Sequence, residues 1–319
     1  MRVLSGIQPS GELHLGNYFG AIRQYVRMQK EHDCFFFVAN YHALTSLREP
    51  ARLRKLSLSC AADYLALGLD PDRATIFLQS DLPEVTELTW LLDTVTPMGL
   101  LQRCHAYKEK IEQGLPSDHG LFAYPVLMAA DILIHQSHLV PVGQDQKQHV
   151  EVCRDIAERF NGIYGEVFRL PQPYILSESA IVPGTDGRKM SKSYGNTLGL
   201  FEPEKSLKSK IMSIQTDSTP VEAPKDPDKC KLFALVSLLA SADEKAEIER
   251  RYRAGGIGYG EVKKRLLALM LEYFREARER RQELEEDLTT VRKVLDLGAE
   301  KARASGRPTL QAAREAVGL

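Results

Sequence analysis

Residues 3–17 of the chain read VLSGIQPSGELHLGN and combine a strand, a turn and the start of a helix. Val3–Ile7 fits a short apolar strand, and a helical pattern extends from about Leu15 to Gln29. A strand that turns directly into a helix is the opening unit of a parallel α/β sheet, whose ligands bind beyond the carboxyl ends of the strands. We therefore expect the turn at residues 8–11 to lie at a binding site.

The same alternation of strands and helices continues through the N-terminal half. The continuous apolar run Cys34–Ala39 is typical of a strand that is buried on both faces, and Ala74–Leu78 is the next strand candidate. Between them, about Arg52–Leu67 carries apolar residues along one helical face. Strands that alternate with helices predict parallel βαβ units, and therefore an α/β fold with a doubly wound, Rossmann-like parallel sheet.

The last third of the chain has a pattern that is typical of helices alone. Pro220, Pro224 and Pro227 precede a long stretch without proline. We expect a Rossmann-like domain over 1–200, an all-helical domain over 201–290 and a C-terminal helical segment over 291–319. The apolar residues that recur at helical spacing, and that predict one or two long helices, are Val262, Leu266, Leu269, Tyr273, Ala277, Leu284, Leu288, Val291 and Leu295.

Composition and charge limit the possible classes of function. The chain has 319 residues, of which 43% are hydrophobic and 27% charged, as is ordinary for a globular protein. Its 42 basic and 43 acidic side chains leave a net charge of −1, which excludes a surface that is basic throughout. No apolar run has the length of a membrane span, and the N-terminus lacks the apolar core of a secretory signal. We expect a cytoplasmic protein.

The spacing of cysteines and histidines does not predict a metal site. The five cysteines are scattered and form no Cys-x-x-Cys, which argues against a zinc site or a disulfide framework. His135 and His138 are three residues apart, but no third ligand accompanies them. We interpret both histidines as structural or surface residues.

The turn and helix start have the features of a phosphate site. Gly6, Gly11 and Gly16 let the backbone come close to a ligand, and a helix start presents N–H groups and a positive dipole. His14 and Asn17 lie about one helical turn apart, so both side chains can donate to one phosphate group. On its own, the stretch is as consistent with a glycine-rich turn that only caps a helix as it is with a phosphate site.

A second stretch is GTDGRKMSKS at residues 184–193. It places three cations within five residues, with Gly184 and Gly187 before them and Gly195 after them. A mobile cationic loop can close over a triphosphate and stabilise the charge that develops as pyrophosphate leaves. Such a loop taken alone is more often just surface. The two stretches together are more specific than either of them.

Together the two stretches resemble the ATP-site motifs of class I aminoacyl-tRNA synthetases. The first is similar to the His-Ile-Gly-His motif in a variant that ends at Asn17, and Lys189–Ser193 is identical to the Lys-Met-Ser-Lys-Ser motif. YPVLMAADIL at residues 124–133 and VPVGQDQKQH at residues 140–149 resemble the bacterial-type tryptophanyl-tRNA synthetase family. The likeness extends from about residue 1 to about residue 300.

The resemblance implies a reaction, partners and a domain plan. Tryptophan and ATP with Mg²⁺ would give tryptophanyl-adenylate and pyrophosphate, and the tryptophanyl group would pass to the 3′ end of tRNA(Trp). The family's plan is a Rossmann-like catalytic domain with a helical anticodon-binding domain, and the active form is a homodimer. The C-terminal segment would pack back on the catalytic domain.

The resemblance also implies three sets of site residues. Catalysis would depend on Lys189, Lys192, Asn17, Lys108 and Lys110. ATP would be bound by Gln8, Pro9, Ser10, His14, Gly16, Asn17, Gly143, Gln144, Asp145, Val182, Lys189, Met190, Ser191, Lys192 and Ser193. Tryptophan would be bound by Leu4, Gly6, His42, Tyr124, Met128, Asp131, Val140, Val142 and Gln146.

This reaction suits a site that is rich in Lys, Gly and Gln. An α-carboxylate is already ionised at neutral pH, so its attack on the α-phosphate needs neither a nucleophilic side chain nor a general base. Asp131 interrupts the apolar run Ala129–Leu133, and a buried carboxylate needs a partner, which favours a functional role. Met128 could equally be an ordinary core residue.

Other interpretations are open to test. Tyrosyl-tRNA synthetase shares the fold and the reaction, but it usually has Gly-Phe-Asp-Pro where this chain has Gly6–Pro9. A nucleotidyltransferase of the same superfamily would not need the long helical domain. A non-enzymatic paralogue is disfavoured because Lys189, Lys192, Asn17 and Asp131 are intact.

The chain departs from the family pattern in a few positions. Gln144 stands where relatives often have an acid, and Asn40 stands where Asp is frequent. Some relatives hold an iron–sulfur cluster with four cysteines of the helical domain, where this chain has Cys230 alone. We therefore expect neither zinc nor an iron–sulfur cluster.

Overall fold

The computed structural model describes residues 1–104, 107, 118–143, 146–175 and 182–319. These residues form two compact units, each discontinuous in sequence. The first unit comprises the described residues of 1–10, 24–177 and 287–319, and the second those of 11–23 and 178–286. No helix within the described ranges is both long and apolar enough to cross a membrane.

The first unit contains a five-stranded parallel sheet. Its strands are β1 (Arg2–Ile7), β2 (Asp33–Val38), β3 (Ala74–Leu78), β4 (Leu139–Val142) and β5 (Gln172–Ile175). The order is β3–β2–β1–β4–β5, so strand order reverses at β1, between β2 and β4. Doubly wound sheets bind their ligands at this switch point. The predicted α/β fold with a parallel sheet is confirmed.

The helices alternate with the strands in the first half of the chain and follow one another in the second half. In chain order they are α1 (Leu15–Asn17), α2 (Arg23–Met28), α3 (Asn40–Ala43), α4 (Pro50–Ala66), α5 (Glu84–Asp93), α6 (Met98–Gln102), α7 (His119–Ile134), α8 (Lys147–Tyr164), α9 (Glu204–Met212), α10 (Lys231–Leu239), α11 (Ala242–Ala254), α12 (Tyr259–Tyr273), α13 (Arg275–Glu286) and α14 (Thr289–Val317).

The structure refines one helix prediction and corrects another. The chain is helical from Leu15 to Met28, as predicted, but a wide π-helical turn over Tyr18–Ile22 separates α1 from α2. The apolar stripe of the last third is divided among α12, α13 and α14 rather than one or two helices. The second break includes an Asx turn, in which Asp287 Oδ1 accepts the N–H of Thr289 at 2.8 Å.

The long C-terminal helix α14 packs directly on strand β3 within the first unit. Gly298 allows this approach, since a Cβ at that position would lie 1.8 Å from the carbonyl oxygen of Ile76. Val291 and Leu295 of the same helix are also buried. The helix therefore forms part of the core of the sheet domain.

Replacing Gly298 with alanine is expected to lower the free energy of unfolding by about 2 kcal/mol, because helix or strand must shift to make room. The matched control is Gly162→Ala in α8, where a Cβ meets nothing within 4 Å. That change should instead raise stability by about 0.5–1 kcal/mol. Urea unfolding of both variants measures the difference, and equal stabilities would contradict the close contact.

His135 is a buried structural histidine, in agreement with its interpretation from the sequence. Its ring stacks on Phe35 with centroids 4.7 Å apart, and Nδ1 forms a hydrogen bond with Ser305 Oγ at 3.2 Å. Burial, assisted by the charge of Arg2, lowers the pKa of His135 to about 3. The ring is therefore neutral throughout the physiological range.

This buried ring is expected to make the protein sensitive to acid. In the unfolded chain this histidine has its ordinary pKa of about 6.5. Below that pH the unfolded chain therefore binds a proton that the folded chain does not bind. Stability contributed by His135 is thus full above pH 6.5 and is lost progressively toward pH 3. Between pH 7 and pH 5 the loss should be about 2 kcal/mol.

A His135→Phe variant keeps an aromatic ring against Phe35 and cannot titrate. Urea unfolding of wild type and variant at pH 7, 6 and 5 should show a steeper fall for wild type. Parallel pH profiles would show that His135 is protonated in the folded protein.

Candidate functional site

Several polar residues lie where the parallel strands end. Gln8 follows β1, His42 lies in α3 just beyond β2, Gln79 follows β3 and Gly143 follows β4. Because the carboxyl ends of parallel strands share one edge of the sheet, these residues belong to the edge at which α/β folds bind ligands. This edge is in the first unit.

Helix α7 adds one functional face to the first unit. Tyr124, Met128 and Asp131 are spaced four and three residues apart and therefore line one side of the helix. Asp131 is 3% exposed, whereas Tyr124 and Met128 are partly exposed. The face thus has a buried carboxylate at one end and an aromatic hydroxyl at the other.

Two side chains donate hydrogen bonds to the buried carboxylate of Asp131. His42 Nε2 lies 2.9 Å from Oδ2, and Gln79 Nε2 lies 2.9 Å from both Oδ1 and Oδ2. Burial raises the pKa of Asp131, while the hydrogen bond and charge of His42 and the hydrogen bond of Gln79 lower it. The carboxylate is therefore satisfied by the chain itself, which the sequence did not indicate.

Apolar residues adjoin this polar cluster. Leu4, Val140 and Val142 belong to one buried hydrophobic cluster, and Met128 packs against it. Packing explains the glycine at position 6 better than close approach of a ligand does, because a Cβ there would lie 2.7 Å from the ring of Phe37. The space beside Gly6 is thus filled by the protein's own core.

The structure does not single out Tyr124 and Gln146 as ligand-binding residues. The hydroxyl of Tyr124 is 2.6 Å from His149 Nε2, and its ring meets His42 edge to face at 6.2 Å. Gln146 is exposed at the start of α8. A cavity of about 540 Å³ is lined by His42 and Tyr124 together with residues of α5 and α7, but not by Asp131, Met128 or the two valines.

In the second unit the two motifs that resemble ATP sites are in contact. Lys192 Nζ donates to the carbonyl oxygen of Gly11 at 2.8 Å. His14 pairs with Gly199, and a Cβ on Gly16 would lie 3.5 Å from Met190 Cβ. Residues far apart in sequence thus form one cluster that contains a lysine and several glycines, and its role in binding ATP stays a prediction.

His14 is neutral at physiological pH. Burial, followed by the charge of Lys192, lowers the pKa of His14 to about 4. Its Nδ1 is buried and has no hydrogen-bond partner among the described residues. The ring can therefore give one N–H to a ligand without adding a second charge beside Lys192.

The start of α1 differs from the free helix end that the sequence suggested. The N–H of Leu15 is bonded to the carbonyl of Leu198 at 2.9 Å, so it is not available to an anion. Asn17 Oδ1 accepts the N–H of His14 at 3.1 Å, which leaves the amide nitrogen of Asn17 as the donor. Side chains, more than helix N–H groups, are thus the donors of this motif.

Residues 182–190 form a tight hairpin, and one buried side chain joins it to the segment that follows. Asn196, which is 2% exposed, accepts the N–H of Ser191 and donates to Asp186 Oδ1 and to the carbonyl of Lys189. Gly187 and Gly195 have φ values of +79° and +64°, so glycine serves turn geometry at both positions. Mobility of this loop stays a prediction.

The segment that faces His14 is fixed from two sides within the second unit. Glu202 is 4% exposed and accepts from Gly199 N–H, Ser206 Oγ and Lys210 Nζ at 2.7, 2.7 and 2.9 Å. Arg278 of α13 donates to the carbonyls of Leu200 and Glu202 at 2.6 and 2.8 Å. The helical part of the chain therefore holds the backbone on which the first motif rests.

The predicted site residues thus fall into separate groups. The first unit holds Gln8, Pro9, Ser10 and Gly143 and the whole tryptophan set. The second unit holds His14, Gly16, Asn17, Val182, Lys189, Met190, Ser191, Lys192 and Ser193. Outside the described residues lie Lys108, Lys110, Gln144 and Asp145.

Sequence reasoning missed Gln79, Asn196 and Glu202. The position of Gln79 directly after an apolar strand was the available signal, because residues at the carboxyl end of a parallel strand face the ligand edge. Asn40, which departs from the family pattern, exchanges hydrogen bonds with Ser80 at 2.8 and 2.9 Å. The asparagine thus secures α3 beside the end of β3.

Comparisons with known proteins agree with these motifs. The family model of class I tRNA synthetases (W and Y) matches residues 1–275. A Tryptophan--tRNA ligase from Rhodopirellula baltica is 57% identical over 319 residues and is covered completely, as is this chain. One from Fusobacterium nucleatum is 55% identical over 321 aligned positions, covering 100% of this chain and 98% of that protein.

A solved structure is similar along the whole chain. The crystal structure of tryptophanyl-tRNA synthetase from Campylobacter jejuni, complexed with ADP and tryptophan, has a TM-score of 0.94 and 51% identity, and the match covers 100% of both chains. The family model covers most of the sequence, and relatives at more than half identity extend over all of it. The chain therefore belongs to the class I tRNA synthetases for tryptophan and tyrosine.

Proposed function

We propose that this chain is a tryptophan–tRNA ligase. It activates L-tryptophan with ATP to tryptophanyl-adenylate and pyrophosphate, and then transfers tryptophan to the 3′ end of tRNA(Trp). The observation that carries the proposal is the 2.8 Å contact of Lys192 Nζ with the carbonyl of Gly11, which joins the two phosphate motifs. Relatives named for this activity match the full length of the chain.

The second unit supplies charge and donors for the triphosphate. Lys192 and Lys189 stabilise the negative charge that grows on the phosphates as the bond to pyrophosphate breaks. Neutral His14 and the amide of Asn17 donate hydrogen bonds without adding charge. ATP enters as its Mg²⁺ complex, so the metal is part of the substrate. No general base is required, because the attacking carboxylate is already ionised.

The first unit recognises the amino acid. Leu4, Met128, Val140 and Val142 provide apolar surface for a large aromatic side chain. Asp131 provides an acceptor, and among large aromatic side chains only indole carries an N–H that must find one. This combination supports tryptophan rather than phenylalanine as the substrate.

The remaining assignments concern the partners and the domain roles. We assign anticodon recognition to the helical domain at 201–290, whose described secondary structure is entirely helical. The segment 291–319 belongs with the catalytic domain at 1–200, as the contact of Gly298 with Ile76 supports. The active form is a homodimer in the cytoplasm, by analogy with the family.

The decisive experiment is ATP–pyrophosphate exchange with each of the twenty amino acids, followed by charging of tRNA(Trp). We expect strong exchange with tryptophan alone. Exchange that depends on tyrosine instead would identify the chain as a tyrosyl-tRNA synthetase. Exchange without transfer to tRNA would indicate an adenylate-forming enzyme that does not act in translation.

A further inference from the structure

Gln79 is a buried amide whose two ends are both in use. The side chain directly follows β3 and is 1% exposed. Oε1 accepts the N–H groups of Tyr41 and His42 at 3.0 and 3.3 Å, and Nε2 donates to both oxygens of Asp131 at 2.9 Å. One side chain therefore links the start of α3 to the carboxylate on α7.

These contacts determine the orientation of the amide. Backbone N–H groups can only donate, so the end of Gln79 that faces Tyr41 and His42 must be the oxygen. The NH₂ group is then the end that faces Asp131. The carboxylate consequently receives a donor whose identity and position are set by main-chain groups on a different element.

The same contacts leave Asp131 room for one more donor. A carboxylate has about four acceptor positions, and three are occupied by the bonds from Gln79 and His42. Burial raises the pKa of Asp131, and the hydrogen bonds from His42 and Gln79 oppose that effect in part. The result is a buried carboxyl acceptor beside apolar residues, held in a defined orientation by two donors.

We propose that Gln79 is a specificity-determining positioning residue, which acts through Asp131 to hold a carboxyl acceptor in place for the indole N–H. The inference rests on the proposed function, because it takes tryptophan as the substrate. Gln79 need not touch the amino acid. The adjacent reciprocal hydrogen bonds of Asn40 and Ser80 also join α3 to the end of β3, which offers a neighbouring contact for comparison.

The test compares tryptophan with β-(3-benzothienyl)-L-alanine, in which sulfur replaces the indole N–H. Gln79→Glu retains an oxygen for the N–H groups of Tyr41 and His42 but presents an acceptor to Asp131. Gln79→Met has a similar length and no donor. In both variants the kcat/KM of pyrophosphate exchange should fall about tenfold or more for tryptophan, and change less than about threefold for the analogue.

A second readout is the dependence on pH. The titratable groups beside Asp131 are His42 and Cys153, and both are common to all variants. In Gln79→Glu, the new carboxyl and Asp131 repel each other when both are ionised, and uptake of one proton restores an O–H donor between them. The ratio of kcat/KM for tryptophan to that for the analogue should therefore recover on acidification from pH 8 to pH 6 in Gln79→Glu, but not in Gln79→Met.

Ser80→Ala is the matched control, because it removes the hydrogen bond that the Ser80 hydroxyl accepts from Asn40 and leaves Asp131 untouched. It should keep the wild-type ratio. Melting temperatures separate selectivity from unfolding. If either folded Gln79 variant loses tryptophan and analogue activity to the same extent, the positioning role is overturned. If the wild-type protein shows no tryptophan-dependent exchange, the proposed function falls first and the role of Gln79 falls with it.

Discussion

Lys192→Ala is expected to slow adenylate formation by roughly 10²-fold, with little change in tryptophan affinity. The lysine lies against Gly11 and close to neutral His14, in the cluster where the two phosphate motifs meet. Its charge should matter most when negative charge moves onto the leaving pyrophosphate. An interaction that strengthens in the transition state lowers kcat rather than raising KM.

Single-turnover kinetics with saturating ATP measures this chemical step directly. Lys205→Ala is the matched control, because Lys205 is an exposed lysine of α9 in the same unit. It should leave the rate unchanged. A Lys192→Ala enzyme with a normal single-turnover rate would remove Lys192 from the catalytic set and weaken the assignment of the whole motif pair.

Asp131→Asn is expected to lower kcat/KM for tryptophan by roughly 10²-fold, because a hydrogen bond to a charged acceptor becomes a neutral one. The variant also creates a conflict, since one end of the new amide is a donor that meets the donors of His42 or Gln79. Phenylalanine makes no such hydrogen bond, so its kcat/KM should change by less than about threefold. The preference for tryptophan over phenylalanine should therefore narrow.

The structure changes the reason for this preference. A site whose buried carboxylate is left unpaired by phenylalanine can reject that amino acid by roughly 10⁴–10⁵. His42 and Gln79 satisfy the carboxylate without a ligand. We therefore expect Asp131 to contribute less than this to the preference for tryptophan over phenylalanine. Asp155→Asn on the exposed face of α8 controls for loss of charge. If the ratio of kcat/KM for tryptophan to that for phenylalanine is unchanged in a folded Asp131→Asn enzyme, Asp131 does not contact the indole.

Local patterns were enough to predict the first three strands and to single out the two motifs, but strands β4 and β5 were not predicted. Cys34–Ala39 is a continuous apolar run, and its position between two helical patterns favours a strand. The motif Lys189–Ser193 is informative because its cations are adjacent in sequence. These are the features for which neighbours along the chain carry the signal.

Features that depend on distant neighbours were not predictable. The π-helical turn at Tyr18–Ile22 packs on aromatic residues of α12 and its end, including Tyr273, and no local pattern encodes that contact. Gln79 is a single amide with no repeat or motif around it, and its importance comes from Asp131, which is far along the chain. The contacts of Gln8 and of Gly143 with ATP stay predictions.

The mixed chain order of the two units has a consequence for biosynthesis. Tyr18 contacts Tyr273 across 255 residues of sequence, and α14 completes the sheet only after all other elements have been made. At typical translation rates, Tyr18 waits on the nascent chain for roughly 10–50 s before its partner leaves the ribosome. Leu13 and Leu15, which are buried in the finished protein, bond through their backbones to Leu200 and Leu198, so they too wait for distant residues. A chain released by a premature stop codon therefore exposes an apolar segment to chaperones and proteases instead of forming a partial enzyme.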